Sequence, residues 1–153
     1  MKLQDRNEIM SLIRSLLVKT RLVSFYYTGI FTLQFEEEGC LENTTRLEVL
    51  TNVYKYLNDS SEDEIQQYLE SCNLLREIIS HTVKEVTLLP NNCLLFKFDN
   101  IEVLVNSLHL QQFAFMDISW TIRAKRNNEI IELICDGDSD IFGGVAPFGN
   151  VIN

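Results

Sequence analysis

The chain has 153 residues and a formal net charge of −9, with 46% hydrophobic residues, 10% aromatic residues and two prolines. This length and apolar content suit a folded domain that buries its own core without disulfide or metal staples, and they exclude a disordered chain, which could not offset its conformational entropy. The acidic balance argues against nucleic acid and anionic membrane as partners, and no run approaches the ~18 apolar residues of a membrane-spanning helix.

In the first 18 residues Leu3, Ile9, Met10, Ile13, Leu16 and Leu17 recur at helical spacing, which predicts an amphipathic first helix. The start mixes both charge signs, unlike a secretory signal, so a soluble cytoplasmic protein is expected. From Leu22 to Phe35 the residues turn β-branched and aromatic, with Val23, Phe25, Tyr27, Phe31, Leu33 and Phe35 on one parity. That composition predicts one long strand, bent at Gly29.

Thr45 and Glu48 have the spacing of a capping box, and Leu47, Leu50, Val53, Tyr54 and Leu57 supply the stripe of a second helix. Ser61 and Glu64 repeat the device. Ile65, Tyr68, Leu69, Cys72, Leu75, Ile78 and Ile79 then predict a third helix with those residues buried.

After His81 the period alternates, giving strands at Val83 to Leu89, Cys93 to Phe98, Ile101 to Val105, Phe113 to Arg126 and Glu129 to Cys135. Asp99-Asn100 and Asn127-Asn128 suit two-residue hairpin loops. The first loop would pair Phe98 with Ile101, Phe96 with Val103, Leu94 with Val105 and Lys97 with Glu102. The second would pair Trp120 with Cys135, Ile122 with Leu133, Ala124 with Ile131, Arg123 with Glu132 and Arg126 with Glu129.

No internal repeat or linker is apparent. The expected fold is α+β: an N-terminal helix and long strand, two consecutive helices, then an antiparallel meander of about five strands packed against the helices. Residues 1–135 read as a single domain and residues 136–153, with four of the six glycines, as a loop or tail.

Chemical motifs are sparse. Asp136-Gly137-Asp138-Ser139-Asp140 begins like a calcium loop, but Ile141 and Pro147 stand where glycine and bidentate Glu are needed, so a solvated acidic turn is expected. Cys40, Cys72, Cys93 and Cys135 form no Cys-x-x-Cys pair, and His81 and His109 lie in no ligand spacing, so free thiols, no metal site and no cofactor are expected. No phosphate loop, dinucleotide fingerprint or nucleophile elbow occurs, and a non-enzymatic role is favoured.

The strongest functional feature is charge. Eleven acids and three bases fall between Glu36 and Glu77, while residues 1–21 hold five bases and two acids. Much of that acidity belongs to turns and helix starts, where the macrodipole favours it. As a docking surface it would attract a basic protein, as an immunity-type inhibitor of a nuclease does: Glu36, Glu37, Glu38, Glu62, Asp63 and Glu64 would steer the partner and Tyr56 would anchor it. A small-ligand pocket lined by Trp120, Tyr26 or Tyr27 is the alternative. A chaperone or assembly subunit, lending the Leu22 to Phe35 strand or the tail to a neighbour, is the third. Oligomeric state is not legible.

Overall fold

The structure is a computed structural model that describes residues 5–28, 31–37, 46–51, 53–55, 64–90, 92–105, 118–126, 129–136 and 141–147. Helix α1 (Arg6–Leu17) starts where the Asp5 side chain accepts from the Asn7 N–H, and it buries Ile9, Ile13, Leu16 and Leu17. Lys19, with φ of 73°, turns the chain into β1 (Thr20–Tyr27), which forms a hairpin with β2 (Phe31–Glu37). One long strand was expected here; instead the chain reverses between Tyr27 and Phe31. The reversal lets Tyr27 and Phe25 pair with Phe31 and Leu33 on one face.

The expected second helix is absent. Its place is taken by β3 (Arg46–Thr51) and β4 (Val53–Lys55). Leu47, Val49 and Thr51 alternate as well as Leu47, Leu50 and Val53 recur at helical spacing, and β3 gains a ladder on both sides, from Leu47 to Thr51 with β2 and along its whole length with β8. Glu48, read as a capping carboxylate, stands opposite Arg123.

Helix α2 (Glu64–Ile78) forms where the third helix was expected. The strands β5 (Val83–Leu88), β6 (Leu94–Phe98), β7 (Ile101–Val105), β8 (Ile118–Arg126) and β9 (Glu129–Asp136) follow, and both hairpins adopt the registers that their apolar and charged residues predict. Asp99 takes a φ of 42°, as its turn requires. Within residues 136–153, expected as a loop or tail, Ile141–Pro147 forms β10 against β9. The chain is thus α+β, with two helices and ten antiparallel strands among the described residues.

The five later strands do not form one meander. A six-stranded sheet has the order β1-β2-β3-β8-β9-β10 and a four-stranded sheet the order β4-β7-β6-β5. One residue separates β3 from β4, so the chain passes there from one sheet to the other. At the opposite side β1 meets β5: Arg21 bridges Thr82, Lys19 N–H donates to the Val83 carbonyl at 2.9 Å, and Ser80 N–H donates to the Leu22 carbonyl at 2.7 Å. The strands therefore close a ring around Leu22, Phe35, Val49, Val83, Phe96 and Val103.

Those reciprocal bonds reveal an internal repeat that the sequence hides. Adding 61 to a residue number carries the end of α1, Leu17, onto the end of α2, Ile78, and likewise Tyr27 onto Leu88 and Glu37 onto Phe98, the ends of the next two strands. The left-handed residues Lys19 and Ser80 coincide, as do β-bulges at Leu22/Ser24 and Val83/Glu85. Ile13 and Leu74, Leu17 and Ile78, Leu22 and Val83, Leu33 and Leu94, and Phe35 and Phe96 are buried in pairs. Each unit is a helix followed by three antiparallel strands, and the bonds on either side of the Arg21–Thr82 bridge are reciprocal between the units. Between residues 6–37 and 67–98 only Leu33/Leu94 and Phe35/Phe96 are identical, so burial, and not residue identity, carries the repeat.

Candidate protein-docking surface

The two units differ in how their helices are used. In the second unit β5 is a sheet edge, and α1 lies along it. Arg14 Nε donates to the Val86 carbonyl at 3.3 Å, Leu88 N–H donates to Met10 Sδ at 3.4 Å, and Arg6 donates to the Leu88 carbonyl at 3.2 Å and to the side-chain oxygen of Asn92. Three side chains spaced four apart thus occupy the hydrogen-bonding groups of an otherwise open edge.

Helix α2 packs against β4, and its start meets the tip of the β1–β2 hairpin through rings. Tyr68 lies 4.8 Å from Tyr27 and stacks on Phe31 at 5.9 Å, while Tyr27 lies 4.8 Å from Phe31. Phe31 is 2% exposed, but Tyr27 is 46% and Tyr68 39% exposed, so a buried ring supports two solvent-facing ones; Leu69, next in the chain, is 47% exposed. Sequence periodicity placed Tyr68 and Leu69 on the buried stripe. The buried face of α2 instead runs through Ser71, Leu74, Leu75 and Ile78, while Tyr68, Leu69 and Glu70 are exposed.

The Tyr68 phenol holds its proton above the ordinary value of 10.0, chiefly because its hydroxyl is hydrogen-bonded to Cys72 one turn on, with the nearby thiol's charge, burial and Tyr27 adding to the effect. Cys72 is half-buried, and Cys93 and Cys135 are buried; all three are free thiols.

The acids expected to form one surface are spread apart. Glu36 pairs with Arg21 at 3.9 Å and Glu37 is exposed opposite Thr20, both at the far end of β2 from Phe31, about 20 Å along the strand. Glu64 opens α2, one turn before Tyr68. Glu38, Tyr56, Glu62 and Asp63 lie outside the described residues. Of the aromatic residues weighed for an alternative ligand site, Trp120 is fully buried and Tyr26 is 47% exposed.

Elsewhere, His81 Nδ1 lies 3.1 Å from Asp99, which Lys84 also approaches at 3.9 Å. Among the described residues no group of three His, Cys, Asp or Glu side chains is placed to hold a metal ion, and no helix is long and apolar enough to cross a membrane. Comparison with protein-family models, with curated proteins and with solved structures finds no match to this chain.

Proposed function

We propose that this protein is a protein-binding module that docks a basic polypeptide on the surface formed by Tyr27 and Tyr68. The observation that carries the proposal is the pair of exposed tyrosine rings seated on buried Phe31, because rigid, preorganised aromatics make strong anchors at protein interfaces. Charge selects the partner. Asp59, Glu62, Asp63 and Glu64 immediately precede Tyr68 in the chain, and the segment from Glu36 to Glu77 carries eight of the nine units of net negative charge. Such a field speeds encounter with a cationic protein and disfavours nucleic acid.

An immunity-type inhibitor that occludes a basic enzyme, such as a nuclease, is the form of this function that a small acidic domain suits best. The free thiols support a reducing compartment such as the cytoplasm. Affinity capture at low salt, run in parallel with the wild-type chain and a Tyr27→Ser/Tyr68→Ser variant of unchanged thermal stability, tests the proposal. A basic protein retained by the wild type, released by salt and lost from the variant is the expected result. Equal retention by both chains overturns it.

A further inference from the structure

We infer that the partner binds by strand addition: an extended, arginine-bearing segment pairs with the open edge of β1 at Phe25 and Tyr27. The inference rests on the docking surface proposed above and specifies how it is used. Its basis is the internal repeat. Phe25 and Tyr27 are the counterparts, 61 positions earlier, of Val86 and Leu88. The ladder to β2 pairs Ser24, Phe25, Tyr26 and Tyr27 with Gln34, Leu33, Thr32 and Phe31, and its phase is set by Leu22, whose N–H and C=O turn away from β2 to His81 and Ser80 before a bulge that matches the one on β5. Antiparallel alternation then points the N–H and C=O groups of Phe25 and Tyr27 away from β2, as the same alternation does for Val86 and Leu88.

On β5 those outward groups are taken up by Arg14, Met10 and Arg6. On β1, among the described residues, nothing bonds the outward groups of Phe25 and Tyr27. The helix positions that correspond to Arg6, Met10 and Arg14 are Gln67, Ser71 and Leu75, so α2 brings no cation to this edge. An edge strand carrying unpaired backbone groups and exposed tyrosines is the feature that strand-adding ligands recognise.

The counterpart also indicates the occupant. Where the chain closes its own edge, it does so with two arginines; at β1 an arginine from outside would meet the Tyr27 and Tyr68 rings. A second copy of this chain is disfavoured as occupant, since each copy has a net charge of −9.

The probe is the octapeptide (Arg-Val)4, compared with an analogue of identical charge whose alternate backbone nitrogens are methylated so that one edge has no donors. Amide exchange is followed by NMR on the full chain at low salt. The expected result is that (Arg-Val)4 slows exchange of the Phe25 and Tyr27 amides about tenfold or more, leaves Ser24 and Tyr26 unchanged, and binds about tenfold more tightly than the methylated analogue. Binding without added protection at Phe25 and Tyr27, equal binding of both peptides, or no binding overturns strand addition. So does protection of these amides that rises with protein concentration alone, the sign of self-pairing. The docking function is judged separately, by the comparison of wild type with the double serine variant, and survives if that comparison holds while strand addition fails.

Discussion

Phe35 and Phe96 stack with ring centroids 6.0 Å apart and planes inclined at 29°, and each occupies the same position in its own helix-plus-three-strand unit. Their contact, with the Arg21–Thr82 bridge, joins the halves of the ring. Replacing either phenylalanine with alanine should cost about 3–5 kcal/mol in denaturant unfolding. A double-mutant cycle should return a coupling of about 0.5–1.5 kcal/mol, whereas additive losses would mean that the stack holds nothing beyond separate burial.

The Trp120 indole N–H donates to the Asn92 carbonyl at 2.7 Å, tying β8 to the turn that Arg6 also grips. The chain has a single tryptophan, fully buried, so its native fluorescence should be blue-shifted and should move to longer wavelength on unfolding. Trp120→Phe should cost about 1–3 kcal/mol, from the lost hydrogen bond and the smaller ring. A neutral effect would show that another donor replaces the indole.

Tyr68 fixes the sign of an alkaline effect. Its phenol ionises above 10.0 in the folded chain, so between that value and the folded pKa the unfolded chain has lost a proton that the native chain keeps. Its contribution to stability is complete below pH 10 and declines as pH rises through the folded pKa. Absorbance titration at 295 nm should show one late tyrosine that disappears in Tyr68→Phe, and that variant should lose less stability over the same pH range.

Gly143 carries a φ of 126°, and a Cβ placed there would lie 2.0 Å from the Glu132 carbonyl oxygen of β9. Gly143→Ala should therefore loosen β10, at a cost of about 1–3 kcal/mol, while leaving the ring intact. Amide exchange should quicken along β10 and not at β5 or β6. Uniform acceleration would show that β10 is needed for the whole fold.

The residues that announced themselves in the sequence were those whose partners are close along the chain. The Phe98–Ile101 and Trp120–Cys135 registers follow from alternation on either side of a short turn. Distant partners left weaker signs. Leu47, Leu50 and Val53 satisfy a helical period, and only β2 and β8, one on each side, make this segment a strand. The bulge between Leu22 and Ser24 was equally hidden: it turns Leu22, and not Val23, toward Phe35, because an extra residue shifts parity without changing composition. Of the candidate site, Glu36 is held by Arg21 and Glu37 stands at the wrong end of β2, while exposed Tyr68 sits at a spacing that reads as core. Periodicity identifies the apolar side of a helix; how far along the helix the core extends depends on neighbours that the local sequence does not encode.

The ring closure at Lys19 and Ser80 has a consequence for how the molecule forms. Within each unit the strands pair with near neighbours, hairpin by hairpin, and such contacts cost little loop entropy and assemble early. The bonds from Lys19 to Val83 and from Ser80 to Leu22 span some sixty residues and depend on both units having taken shape. Joining the halves is therefore the late event on the folding route. Substitutions at the seam, Phe35→Ala among them, should chiefly hasten unfolding and leave the refolding rate nearly untouched, a partition that stopped-flow chevrons measure directly.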